Sequence, residues 1–184
     1  PGDLAARVGT DDTVTADGSR PARGGSVGDA GATSSVSVGG RTVAATNNGT
    51  TGSVADDALL VALAEGVDDV GVPATDAAGN AGSDATAGEL TVDLTAPVVT
   101  VDTLTTNDST PALGGSVDDA GATISVTVGG QTVAATNNGT TWSVADDALL
   151  VALADGVYDV EVTATDTVGN AGSDATAGEL TVHP

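Results

Sequence analysis

The chain says most of what it has to say twice. "TVAATNNGTT" occupies residues 42–51 and returns at 132–141, "SVADDALLVALA" occupies 53–64 and 143–154, and "GNAGSDATAGELTV" occupies 79–92 and 169–182. Each pair is offset by 90 residues, and Pro21 matches Pro111 at the same interval. A unit of that size is too long for a solenoid turn and suits a domain with its own core. The stretch "LTVDLTAPVVTVD" at 90–102 is therefore a junction, and Asp3 repeats Asp93 there. Two domains are expected, at residues 1–93 and 94–184.

Within the second copy, seven short runs rich in Val and Thr read as strands: 97–103, 111–117, 122–128, 131–136, 140–145, 157–165 and 177–182. Turn signals separate them, "DDAG", "GG", "NNG" and "TVGN", whose Asn and Gly residues tolerate positive φ. Seven strands at this spacing predict an all-β fold: two tandem Ig-like antiparallel β-sandwiches of about seven strands each. One segment, "DDALLVALADG" at 146–156, also fits a helical turn capped by Asp146 or Asp147.

Composition removes several kinds of chemistry. There is no cysteine, so neither disulfides nor thiol chemistry are available. Twenty-six acidic residues stand against four basic ones, a formal net charge of −22. Nucleic acid and anionic membrane are poor partners for such a surface. The acidity is read in three ways: it attracts cations, it suits brine, or it keeps chains apart in solution. No apolar run approaches the ~18 residues of a membrane span, and nothing resembles a signal peptide. The opening "PGDLAARV" has no initiating Met, which fits a segment of something longer. His183 is the sole histidine, and no nucleophile–base pair is evident, so the chain is not expected to be an enzyme.

The pieces "TAPVVTVD", "TNDSTPALGGSVDDAGATISVTVGGQT", "NNGTTWSV", "ALADGVYDVEVTATDTVGNAG" and the closing "LTV" cover nearly all of the second copy. Together they resemble the bacterial Ig-like repeats of biofilm-associated proteins and giant repeats-in-toxin adhesins. The resemblance implies an Ig-like sandwich in a long extracellular array at the bacterial surface. Its implied role is to extend a distal adhesive tip, with neighbouring repeats as partners and calcium bound near the joints.

Ig topology gathers the linker, the second–third strand loop and the sixth–seventh strand loop at one end. In the second copy these carry Asp93, Asp118, Asp119, Asp166 and Asn170. Calcium takes six to eight hard oxygen ligands, which such a set could supply. The matching residues of the first copy are Asp3, Asp29, Asp76 and Asn80, with Gly28 in place of Asp118. The bland alternative is that Asp and Asn occupy these turns for backbone reasons alone. Alternative functions are a carbohydrate- or protein-binding Ig-like module and an accessory domain of a secreted hydrolase.

The first copy is a degenerate one. Trp142 is matched by Gly52, Tyr158 by Asp68, Leu113 by Arg23, Ile124 by Ser34, Val99 by Gly9 and Val101 by Asp11. Losing one buried Trp typically costs about 3–5 kcal/mol. Residues 1–93 in isolation are therefore expected to be unstable, and a sharp cooperative melt of that fragment contradicts the expectation.

Overall fold

The computed structural model describes residues 8–11, 14–16, 23–55, 58, 62–84, 86–174 and 176–184, and these form strands, turns and loops with no helix among them. They fall into two compact units, Pro1–Leu94 and Thr95–Pro184.

In the second unit the strand Thr123–Val128 shows how the sequence builds the sheet. Its residues alternate, and Ile124, Val126 and Val128 all point inward with 5% exposure or less. It pairs in unbroken register with Val160–Thr165, whose Val160, Val162 and Ala164 are buried on the same face. On its other side it turns through Gly129 and Gly130, at φ 57° and 77°, into Gln131–Asn137. Two consecutive positive φ values are what a tight hairpin turn requires, and glycine adopts them without strain. Gln131–Asn137 then changes partner. Its first residues pair with Thr123–Val128, and Thr136 and Asn137 pair with Thr141–Val144. Continuing through Leu113–Ser116 on one edge and Ala171–Ser173 on the other, the ladder has six strands.

A second sheet of three strands joins Leu104–Thr106, Leu180–Val182 and Gly156–Tyr158. Between the sheets lies one core, with Trp142 only 1% exposed. The indole Nε1 donates to the Thr100 carbonyl at 2.9 Å, so the ring pins the first segment to the sandwich. Gly115 makes this possible, because a Cβ there would sit 1.9 Å from the Thr100 oxygen and 2.7 Å from the indole nitrogen. Tyr158 packs partly against the core, and its hydroxyl donates to the Ala154 carbonyl at 3.0 Å, as a corner tyrosine does.

Two expectations need correction. The run 97–103 is an irregular edge rather than a full strand: Val99 bridges Val117, the Thr100 and Asp102 N–H groups donate to Ser116 and Gly114 O, the Asp118 N–H donates to Val98 O, and the chain then crosses to the other sheet. There Leu104–Thr106 pairs parallel with Leu180–Val182, so the sandwich is not wholly antiparallel. The segment 146–156 forms no helical turn capped by Asp146 or Asp147. Asp147 takes φ 60°, outside the helical region, and its N–H donates to Thr110 O at 2.9 Å instead. Leu149 and Leu153 plug the core, while the Gln131 side chain grips the Val151 backbone through two hydrogen bonds of 2.7 Å.

The first unit repeats this plan with shorter ladders. Thr163 is matched by Pro73, and the unbroken strand Val160–Thr165 becomes two fragments, Val70–Gly71 and Ala74–Thr75. Proline has no N–H to give a central ladder, which explains the break. Gly52 stands in the place of Trp142, and the described buried residues separate into two clusters, Val27 with Ala32 and Ala74, and a larger one around Val36, Val38 and Leu90. A void of ≈ 10 Å³, room for about one water, lies between them against Val27, Val36 and Val72.

The full chain is accordingly expected to melt in two transitions, the first repeat first. Trp142→Gly should lower the second transition by about 3–5 kcal/mol. Pro73→Thr should raise amide protection along Thr33–Val38, and hydrogen exchange reads both effects.

Candidate functional site

Three segments do meet at one end of the second repeat. The Val98 N–H donates to Asp118 Oδ1 at 2.7 Å, which joins the entering chain to the loop 118–121. Gly121 faces Thr167 of the loop 166–170 across ordinary contact distance, since a Cβ on it would lie 3.5 Å from the Thr167 methyl. Asn137 locks the neighbouring hairpin onto the same loop. Its amide donates to the Asp119 and Ala122 carbonyls at 2.9 Å each, and its Oδ1 accepts from Gly139 N–H. Asn47 makes the same bonds to Asp29 and Ala32 in the first repeat. This role of the "NNG" turns was missed in the sequence, where the asparagines read only as turn formers.

The carboxylates at this end have work other than metal binding. Asp119 Oδ1 accepts from Gly121 N–H at 2.7 Å. Asp166 Oδ1 accepts from the N–H groups of Val168, Gly169 and Asn170, and its Oδ2 accepts from the Asn170 amide at 2.8 Å. In the first repeat Asp76, 8% exposed, takes the N–H groups of Ala78 and Asn80 and the Asn80 amide in the same way, and Asp29 caps Gly31. Asp93 is half-buried, and Asp3 lies outside the described residues. Asp166 and Asn170, and Asp76 and Asn80, are thus brought together as hydrogen-bonded pairs. Among the described residues no three acidic, His or Cys side chains converge closely enough to hold a metal ion. The donor set is chemically suited to calcium.

The same use of acid runs through the rest of the fold. Asp174 Oδ2 accepts from Val101 N–H at 2.9 Å, Asp159 Oδ1 from Gly178 N–H at 2.8 Å, and Asp108 Oδ1 from Thr110 N–H at 2.9 Å. Glu179, only 4% exposed, accepts from Val160 N–H at 3.1 Å where the strands Gly156–Tyr158 and Val160–Thr165 separate. Glu89 does this for Val70. Buried glutamates and loop aspartates that serve as backbone acceptors leave no periodic trace, so only the exact repetition of "AGELTV" marks them.

These bonds set the carboxyl acidities. For Glu179 and Asp166 burial works to raise the pKa but is outweighed: by the Thr176 hydroxyl and Val160 N–H in Glu179, and by the Asn170 amide and loop N–H groups in Asp166. Both carboxyls end below their ordinary values. Asp76, through Asn80, and Glu89, through Val70, are lowered as well. Asp146 goes the other way, because it shares a hydrogen bond and a repulsive field with Asp108, with further repulsion from Asp147. Thr110 Oγ1 donates to Asp147 Oδ1 at 2.7 Å beside them. His183 Nδ1 lies 3.4 Å from Asp155 Oδ1, with both side chains largely exposed.

The fold defines an Ig-like module. Residues 99–183, nearly all of the second repeat, match the sequence model of the bacterial Ig-like domain family. The first repeat is its tandem copy. No curated protein matches the chain. Among solved structures, a 1.5-MDa bacterial ice-binding adhesin, studied for its retention on the host cell surface, is similar at 23% identity and TM-score 0.49, over 98% of this chain and 67% of that one. A Ca2+-stabilized adhesin with which an Antarctic bacterium reaches out and binds ice is similar at 22% identity and TM-score 0.45, over 97% of this chain and 50% of that one. A tetra-tandem repeat from the extending region of a large adhesion protein is similar at 29% identity and TM-score 0.39, over 97% and 51%. The chain spans about half the length of these last two. The family match rests on sequence alone.

Carboxylates with lowered folded-state pKa contribute stability that is present above the ordinary value and lost as pH falls through the folded one. Asp166→Ala, which strands three N–H groups, should therefore lower the melting temperature at pH 7, and by progressively less as the pH falls below the ordinary carboxylate range. Asp146→Asn should do the opposite. Its raised pKa means that ionised Asp146 opposes folding at neutral pH, so the variant should melt higher at pH 7 and match the parent in acid. Melting curves from pH 3 to 8 read both.

Proposed function

We propose that this chain is an extender segment of a bacterial cell-surface adhesin, a piece of stalk that holds a binding tip away from the cell. The observation that carries the reading is direct tandem repetition of a bacterial Ig-like domain at a 90-residue interval. A module that is copied whole, with its core and turns, adds length in equal steps. The described acidic side chains support a structural rather than a catalytic role, because so many are committed to backbone N–H groups. An extracellular position at the cell surface follows from the same reading, as does association with neighbouring repeats in one chain.

The finer part of the proposal concerns calcium. A chain of net charge −22 with acidic loops at its repeat ends gains from a divalent counter-ion. Calcium taken up by Asp93, Asp118, Asp119, Asp166 and Asn170, with Asp29, Asp76 and Asn80 as their counterparts, would stiffen the array. That uptake requires the loops to give up some of the hydrogen bonds described above. One site filled at a hundred times its dissociation constant would add about 2.7 kcal/mol to the repeat that holds it.

Removing both repeats from the surface protein should shorten its projection in electron micrographs and leave ligand binding intact. Loss of binding with unchanged reach overturns the extender reading. For calcium, small-angle scattering and melting of the intact chain should differ between EGTA and millimolar Ca2+. Identical curves remove the calcium part and leave the extender part standing.

A further inference from the structure

The two repeats differ most at one place in the core, and the second repeat shows what that place is shaped to hold. There the indole ring of Trp142 is sealed inside the sandwich, donates through Nε1 to a backbone carbonyl, and rests beside Gly115, the counterpart of Gly25. In the first repeat the residue is Gly52, paired with Gly25 in the same register as Trp142 with Gly115. The glycine that lets the ring in is retained as Gly25, while the ring is gone.

What remains is a void whose walls are Val27, Val36, Ala45, Val72, Gly52 and residues 24–26, with one polar feature that is left unsatisfied. That feature is the Ser34 hydroxyl, at the position of Ile124, which is shielded from solvent and has no hydrogen-bond partner. A buried hydroxyl left without a partner costs about 1–3 kcal/mol, and an apolar void forfeits the dispersion contacts of its lining. The strands have closed in on the space, since a Cβ on Gly52 would lie 3.2 Å from the Val27 side chain. Closure is incomplete: the void separates two buried clusters that form one continuous core in the second repeat.

We infer that the first repeat carries a latent binding site for a small bicyclic aromatic of the indole class, in the space that Trp142 fills in the second. The ring would displace Val27 and rejoin the two clusters, with its N–H directed, as in the second repeat, at the backbone of the entering strand Val8–Asp11. Binding of this kind selects an opened minor state, so the affinity is reduced by the fraction of chains that are open.

Indole itself is the probe, titrated into the full chain with methyl NMR as the readout. Saturable shifts are expected at Val27, Val36, Ala45 and Val72, together with a rise in the melting temperature of the first transition. The second repeat, whose site is filled by its own side chain, is the control in the same tube and should not respond. Gly52→Trp and Ser34→Ile each restore the second repeat's residue, and both should raise the first transition; Gly52→Trp should abolish the response to indole, whereas Ser34→Ile, which restores the ring's neighbour in the second repeat, should leave it in place. Shifts that never saturate, shifts of equal size in both repeats, or a response that survives in Gly52→Trp would each overturn the inference.

Discussion

The interaction on which the rest of this structure depends is the hydrogen bond from a backbone N–H to a side-chain carboxylate. A sandwich of short strands interrupts its ladders often, and every interruption leaves donors that burial makes costly. Here Asp and Glu take them. Asp118 secures the entering chain, Asp174 secures Val101, Asp159 and Glu179 secure the step between two strand segments, and Asp166 gathers three donors of a single turn. An ionised acceptor makes a stronger bond than a neutral one, so a domain with a modest core gains much from this usage. The acidity of the second repeat, which has no Lys or Arg, thereby has a reason inside the fold as well as at the surface.

The first repeat shows what this scaffold tolerates. Several of its carboxylate bonds are kept, with Asp76, Asp69 and Glu89 holding the same donors as Asp166, Asp159 and Glu179, although Gly28 and Gly18 stand in place of Asp118 and Asp108. Its packing is not kept. Gly52 and Ser34 open the core, and Pro73 divides a central strand. Polar stitching preserves the topology where apolar filling has been thinned, which places the fold's specificity largely in the loops.

Much of the architecture was legible because repetition doubles the evidence. The alternation in "TISVTV", the glycine pair at 129–130 and the "NNG" turn each led to the right element. The parallel pairing of Leu104–Thr106 was not legible, since a strand that changes sheets within a few residues has the same composition as one that does not. Nor was the irregular path of 146–156. Its Leu149 and Leu153 have helical spacing, but hydrogen bonds to Ser109 and Thr110 from a distant loop decide its course. The candidate metal residues were found at the turns that topology brings to one end, yet sequence alone could not say whether a turn aspartate faces an ion or its own backbone. Asp166, which accepts four hydrogen bonds, is satisfied locally in the structure.

The parallel pair carries a mechanical consequence. In each repeat a strand near the start lies alongside the last strand and runs in the same direction, Val14–Ala16 with Leu90–Val92 and Leu104–Thr106 with Leu180–Val182. Tension applied at the two termini slides such strands lengthwise, so all the bonds between them are loaded at once rather than peeled in turn. A tether assembled from these units resists tearing by shear.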